Sequence, residues 1–503
     1  MRWFSDTLWY INFPERNNNK MTEEKNIYRP DFHFSPTHGW MNDPNGLVFF
    51  EGEYHLFYQY YPYGMTWGPV HWGHAVSNDL IKWEHLPIAL IPDELGAIFS
   101  GSAVIDKNNT TGFFDKNPGL VAIYTNSPND PGKHNRFQTQ SIAYSTDHGR
   151  TWIKYEGNPV IHNPGIKDFR DPKVLWYQPE EKWVMILACG DRLKFYASKD
   201  LKTWDYLSDF GEEEGCHKHV WECPDLFELL IDDEDANSKW VLKVDLYDGA
   251  VAGGSGGQYF IGHFDGTRFA NDEKHNYHWI DYGMDFYASQ SWFTDMKTEK
   301  RRLWLGWMSN WKYADKTPTD KFRSTMTLPR ELKLKHTNNG LRLFQQPVKE
   351  LDKYKKEKYF IHDNTINPNS PIIIETNKNT YELSAEFENI EDEITIDLQK
   401  KDETNVLINY NKKSNKLFIN RKNSGMIHFH EDFPREFEAE LLPHPSIKIQ
   451  IIADNCSLEI FANNGEAVIT NLIFPYEQGS IIKISVPEGS AMIKTLKLYE
   501  LYL

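Results

Sequence analysis

The sequence predicts an all-β protein of two domains, a β-propeller followed by a β-sandwich. Three observations predict it. A strand–turn–Trp unit recurs between residues 75 and 210. Helical periodicity is nearly absent before residue 340. From residue 357 the pattern changes to short strands of alternating apolar and polar residues. At 503 residues and 59.0 kDa the chain is also too long for one ordinary domain.

Residues 1–29 read as an N-terminal extension. Its apolar side chains (Trp3, Phe4, Leu8, Trp9, Tyr10, Ile11) are interrupted by Asp6, Pro14, Glu15 and the Asn17-Asn18-Asn19 run. No continuous apolar h-region or small-residue cleavage site follows, so no signal peptide is read. That favours the cytoplasm, with an extracellular or periplasmic place as the alternative.

Residues 30–345 read as the propeller. Ala75-Val76-Ser77-Asn78-Asp79-Leu80 leads to Trp83, Ala143-Tyr144-Ser145-Thr146-Asp147-His148 to Trp152, and Tyr196-Ala197-Ser198-Lys199-Asp200-Leu201 to Trp204. Each is a strand, a Ser-x-Asp turn and a Trp that opens the next strand. The intervals suit one four-stranded blade each. These tryptophans are expected to pack between blades and to bind nothing. A looser copy runs from Ile261 through Asp265 to Phe269. Gly253-Gly254-Ser255-Gly256-Gly257 lacks the Lys-Ser/Thr of a phosphate loop and precedes a strand, so it reads as a loop between strands.

Residues 346–356 read as a helix-like linker, with Glu350, Lys353 and Lys356 on its polar side. Residues 357–503 read as the sandwich, from strands such as Tyr381-Glu382-Leu383-Ser384-Ala385-Glu386-Phe387 and Ile394-Thr395-Ile396-Asp397-Leu398. This domain is expected to cover apolar propeller surface.

Composition narrows the function. The formal charge of −17 repels nucleic acid and anionic membranes, and no stretch is long and apolar enough to span a bilayer as a helix. Aromatic residues make up 15%, which suits strands and sugar-stacking surfaces alike. Cys189, Cys216, Cys223 and Cys456 form no C-x-x-C pair or zinc-spaced cluster, so free buried thiols are expected, with no metal and no cofactor. Oligomeric state is left open.

Three acids stand out. Asp43 lies in Trp40-Met41-Asn42-Asp43-Pro44-Asn45-Gly46, ahead of the strand Leu47-Val48-Phe49-Phe50. Pro44 pushes Asp43 away from the α region, and Asn45-Gly46 favours a tight turn. Asp171 repeats the Asp-Pro arrangement in Arg170-Asp171-Pro172. Glu222 lies in Trp221-Glu222-Cys223-Pro224, where poor solvation would favour its protonated form and suit a general acid. A turn, a surface Arg–Asp pair and a strand-end charge account for each acid singly. A propeller brings equivalent positions of different blades to one funnel, and glycoside hydrolysis needs such a set of carboxyls.

These motifs resemble those of glycoside hydrolase family 32, the invertases, inulinases, levanases and fructan hydrolases. His33-Phe34-Ser35-Pro36, Trp72-Gly73-His74, Phe99-Ser100-Gly101-Ser102 and Leu328-Pro329-Arg330-Glu331-Leu332 match further blocks. Leu458-Glu459-Ile460-Phe461 resembles a turn in the family's C-terminal sandwich. The resemblance implies a five-bladed propeller plus a β-sandwich. It implies Asp43 as nucleophile, Glu222 as acid/base and Asp171 as transition-state stabiliser. It places sugar binding on Asn42, Gln59, Trp67, Phe99, Ser100, Arg170 and Trp292. Core packing is the competing role for Trp67, Phe99 and Trp292. The implied activity is retaining, exo-acting release of fructose from a small-molecule or polymeric fructoside, sucrose or fructan. The alternatives are an endo-acting levanase or inulinase, an arabinan- or xylan-acting propeller glycosidase, and a sugar-binding protein without catalysis.

Overall fold

The computed structural model describes residues 27–115, 118–128, 137–234, 237–294 and 301–503. Most of the expected extension, residues 1–26, lies outside the described residues.

Five antiparallel sheets follow one another along the chain. Their first strands are Gly39–Phe50, Ala97–Asp106, Phe169–Tyr177, Trp221–Leu230 and Tyr287–Ser291. These five strands neighbour one another in cyclic order, so they surround a common axis. The ring is closed by backbone. Phe322–Arg323 pairs in parallel with Gly39 and Trp40, and Phe293 exchanges hydrogen bonds with Leu47 and Phe49 at 2.8 and 2.9 Å. The architecture is a five-bladed propeller.

The repeat unit is the turn between the third and fourth strands of a blade. Asp79 Oδ1 accepts from the N–H groups of Ile81 and Lys82 at 3.0 and 2.8 Å. Asp147 takes the N–H of Thr151 at 2.9 Å, and Asp200 those of Lys202 and Thr203 at 2.8 Å. Each carboxylate thus satisfies turn donors that no strand partner reaches. Trp152 stands edge-on to Phe57 of the first blade at 5.4 Å, and Trp83 stacks on Trp292 of the fifth at 6.4 Å. Trp204 packs with residues of the second and third blades. The tryptophans pack between blades, as their pattern implies.

All five inner strands bulge at the same end. Two residues oppose one at Asn42-Asp43, Phe99-Ser100, Asp171-Pro172, Cys223-Pro224 and Ala288-Ser289. Asp171, Cys223 and Ala288 have φ of +63°, +49° and +52°. A bulge breaks the strict alternation of side chains and re-aims one of them. Here it turns side chains at the strand mouths toward the axis.

The stretch expected as a helix-like linker consists of the end of strand Gly340–Pro347, a short 3₁₀ turn at Lys349–Tyr354 and the start of strand Lys355–Ile366. Two six-stranded sheets follow and face each other over an apolar core. Strand Glu393–Gln399 shows the alternation, with Ile394, Ile396 and Leu398 buried and the residues between them less so. The sandwich meets the propeller through apolar contacts of Ile452, Phe461 and Val468, as expected. It also meets it through buried charge. His33 bridges Asp454 and Glu459 at 2.8 Å each, and Arg330 binds Glu459 and Asp281 at 2.5 and 3.3 Å. Arg421 pairs with Asp285, and the Tyr313 hydroxyl accepts from Arg421 and donates to Asp285. Gly283 lies so close to Thr470 that a Cβ there would stand 2.1 Å from its carbonyl oxygen.

Candidate active site

Asp43 sits at the first bulge with both oxygens engaged. Ser100 Oγ donates to Oδ2 at 2.6 Å, and Asn42 Nδ2 donates to Oδ1 at 3.0 Å. The Asn42 amide is itself oriented by Trp40, whose indole N–H donates to Oδ1 at 2.8 Å. Gln59 opposes this bulge across the blade, and its amide donates to the Ile98 carbonyl at 3.0 Å. It ties the first blade to the second.

Asp171 sits at the third bulge. Its backbone N–H donates to Thr125 Oγ1 at 3.1 Å, and its Oδ2 accepts from the Cys223 N–H at 2.9 Å. The Cys223 sulfur lies 3.6 Å from Asp43 Oδ2 and 3.7 Å from Asp171 Oδ2. A residue read from sequence only as a buried thiol is therefore the link between two acids.

Glu222 precedes the fourth bulge, and its side chain is 14% exposed. Arg170 Nε and Nη2 both donate to Oε1, at 3.1 and 2.7 Å. Tyr287, at the fifth bulge and fully buried, donates its hydroxyl to Oε2. The third guanidinium nitrogen, Nη1, reaches Asp168 at 2.6 Å. The structure thus brings the three predicted acids into one chain of contacts: Asp43, Cys223, Asp171, Arg170, Glu222.

The electrostatics follow from crowding. Burial first, opposed by the Arg170 charge, and then the charges of Glu222 and Asp43 raise Asp171 to about 7. Burial also raises Asp43, against the hydrogen bonds from Ser100 and Asn42. Asp43 and Asp171, out of bulk water, do not ionise as freely as a carboxyl in water. Below them the axis is polar too. Lys173 reaches Asp225 at 3.1 Å and the Ser291 carbonyl at 2.7 Å, and Lys243 pairs with Asp245 at 2.5 Å. Among the described residues no cluster of His, Cys, Asp and Glu is arranged to hold a metal ion.

The rim is aromatic. Trp67 is 50% exposed and meets Phe99 edge-on at 6.0 Å. Trp311 stacks on Trp40 at 6.0 Å and on Tyr247 at 5.8 Å.

Comparison with known proteins gives this arrangement a family. Residues 33–347 match the N-terminal domain of the glycosyl hydrolases family 32, and residues 347–500 match its C-terminal region. The chain belongs to glycosyl hydrolase family 32. Among family 32 relatives, a levanase of Bacillus subtilis is 50% identical, over 94% of this chain and 70% of its own length. An extracellular exo-inulinase of Aspergillus niger is 37% identical over 89% of this chain and 90% of its own. Among solved structures, the exo-inulinase of Aspergillus awamori superposes with a TM-score of 0.88 at 34% identity, covering 94% of this chain and 98% of that one. A variant fructofuranosidase of Schwanniomyces occidentalis, complexed with fructosylnystose, also gives 0.88, at 32% identity over 97% and 100%. Family membership sets aside the arabinan- or xylan-acting alternative.

One expected site residue in this family 32 chain requires correction. Trp292 is 0% exposed, donates its indole N–H to the His55 carbonyl at 3.0 Å, and packs against Tyr54 and Trp83. It follows the inner strand Tyr287–Ser291 at the end away from the bulge, so it fills the wedge between the fifth and first blades. Two residues were missed. Tyr287 opens the same strand and reaches Glu222. Trp311 stands in the loop after strand Arg302–Met308, and its backbone N–H donates to Ser255 Oγ at 3.2 Å. The only sequence signal for Trp311 was its place beside Asn310. That side chain is fully buried and donates to the carbonyls of Ser255 and Met284, at 3.2 and 2.7 Å. The expected loop is confined to Gly253–Ser255, which clasps Asn310, while Gly256 and Gly257 already open the strand Gly256–Phe264. At Gly254, with φ of +67°, a Cβ would meet Asn310 Oδ1 at 2.2 Å.

Proposed function

We propose that this enzyme releases fructose from the terminal β-fructofuranosyl units of levan, related fructans and sucrose, by exo action and with retention of configuration. One observation carries the reading: three carboxyls from three blades are tied to one another through Arg170 and Cys223 at the mouth of the propeller. Asp43, its oxygens oriented by Ser100 and Asn42, attacks the anomeric carbon. Glu222 protonates the departing oxygen and then takes a proton from water in the second step. Asp171 accepts hydrogen bonds from sugar hydroxyls as charge develops on the ring. Trp67, Phe99 and Trp311 offer apolar faces to the sugar's C–H groups, while Asn42, Ser100 and Arg170 offer polar ones. Gln59 holds the first bulge in place.

The levanase at 50% identity puts levan first among substrates, and the exo-inulinases support exo action. The test is to supply levan, inulin and sucrose to the purified protein and resolve products by chromatography. Free fructose as the sole early small product from levan and inulin, and fructose with an equal amount of glucose from sucrose, is expected. A ladder of oligosaccharides would show endo action. NMR of the first fructose formed should show the β anomer, and the α anomer would refute retention.

A further inference from the structure

Two demands meet at Glu222. In the proposed reaction it must arrive with a proton. Yet Arg170 grips Oε1 twice, at 3.1 and 2.7 Å, and a guanidinium in that place favours the bare carboxylate. A further negative charge close to Glu222 would offset it. Strand Ser238–Leu246 brings one.

The second half of that strand is buried on both faces. Leu242, Val244 and Leu246 join the apolar core shared by the third and fourth blades. Lys243 and Asp245 occupy the other face, both side chains at 0% exposure, with Nζ 2.5 Å from Oδ2. The antiparallel register sets Asp245 directly opposite Glu222, and Lys243 opposite Asp225, with the Cys223-Pro224 bulge between the two pairs. Residues directly opposite share a face of the sheet, and like charges so placed repel. The other oxygen of Asp245, Oδ1, has no hydrogen-bond partner among the described residues. It faces Gly257, where a Cβ would stand 2.4 Å away.

The groups around Asp245 come from four strands. Lys243 lies on its own, Glu222 and Cys223 on the inner strand of the fourth blade, Asp43 on that of the first and Tyr287 on that of the fifth. Beyond them, Lys173 pairs with Asp225. Burial, opposed by Lys243 and helped by the charges of Asp43 and Glu222, raises Asp245 to about 7. Fully buried, Asp245 is out of the sugar's reach.

We propose that Asp245 is a positioning residue for the proton of Glu222: its carboxylate, opposite on the next strand, offsets the Arg170 guanidinium and keeps the acid in the form that can protonate the leaving oxygen. This inference rests on the glycosidase reading, in which that proton is transferred as the bond from the anomeric carbon to the leaving oxygen breaks. Asp245 and Glu222 lose their protons as a coupled pair, each loss hindering the other.

The readout is the pH profile of kcat/KM on sucrose, whose basic limb reports loss of the acid's proton in the free enzyme. Asp245→Asn removes the repulsion and leaves the Lys243 ammonium in place. The basic limb should move to lower pH by about half to one unit, so that activity above it falls about three- to tenfold. Activity on the acid side should change little. Asp245→Ser is smaller, and its hydroxyl can still accept from Lys243. It should move the limb the same way, so a folding defect peculiar to one variant does not decide the matter. On β-fructosyl fluoride, whose leaving group needs little protonation, the shift should be much weaker. A limb left in place, a shift to higher pH or a uniform loss at every pH would overturn the role of Asp245. A wild type that releases no fructose from sucrose or levan would instead remove the glycosidase reading itself.

Discussion

Arg170 and Glu222 are joined twice: Nε and Nη2 of the guanidinium both donate to Oε1 of the carboxylate, at 3.1 and 2.7 Å. In the proposed mechanism that leaves Oε2, with Tyr287 beside it, as the oxygen that handles the proton.

Glu222→Gln keeps the shape and loses the proton. Turnover of sucrose and levan should fall about 10²–10⁴-fold. An aryl fructoside, whose leaving group needs little protonation, should lose much less in the first step. The second step also needs the base, so a fructosyl adduct on Asp43 should accumulate and be visible by mass spectrometry. Equal losses on both donors, with no adduct, would take the acid/base role from Glu222.

Asp43→Asn should abolish turnover with the fold intact. The amide oxygen still accepts from Ser100, so circular dichroism and Tm should change little. It lacks the charge to attack carbon. Near-wild-type turnover in the purified variant would sink the nucleophile assignment.

Asp171→Asn should trade activity for stability. A carboxyl raised from 3.8 to about 7 on folding holds its proton more tightly in the folded chain. It costs stability as pH rises above its unfolded value, and that cost is complete above about 7. The variant's Tm should exceed the wild type's by a few degrees at pH 8, and the gap should close toward pH 4. A variant less stable than wild type at pH 8 would show that hydrogen bonding to Cys223 outweighs charge relief.

Tyr287→Phe removes one hydrogen bond to Glu222 and nothing else polar. Loss of a hydrogen bond to the proposed acid/base should lower kcat about ten- to a hundredfold. KM should move little, since the hydroxyl is behind the acid. A change confined to KM would instead place Tyr287 in substrate binding.

His33 makes the domain seam pH-dependent. Burial pushes it down, but Asp454 and Glu459 on its two nitrogens hold it up at about 9. Its contribution is full below its ordinary 6.5 and is lost as pH rises through about 9. Glu459 runs the other way: burial opposes it, yet Arg330 and His33 hold it below its usual range, so its contribution is lost in acid. Wild type should therefore lose Tm between pH 7 and 10 faster than His33→Gln does. Parallel curves for the two proteins would refute the clamp.

Much of this molecule is local and so can be read along the chain. The Ser-x-Asp turns satisfy their own backbone within four residues. The Asp-Pro pairs at Asp43 and Asp171 restrict their own φ and ψ, and the alternation in 393–399 repeats every second residue. Those features announced the propeller, the sandwich and the three acids. What lay beyond the sequence depends on pairing between distant strands. A bulge is a mismatch between two strands, so the common bulge of the five inner strands exists only in the register. It is the bulge that turns Asp171 toward Asp43, puts Cys223 between them and aims Tyr287 at Glu222. The same holds for the tryptophans. Trp292 and Trp311 each stand beside a small polar residue, and nothing within a few residues says which lies at the open mouth of the propeller. Their height along the blade decides it: Trp292 falls at the closed end of a strand, among rings, and Trp311 in a loop at the open end. The chain's chemistry was written in its residues, and its geometry was settled by which strand lies against which.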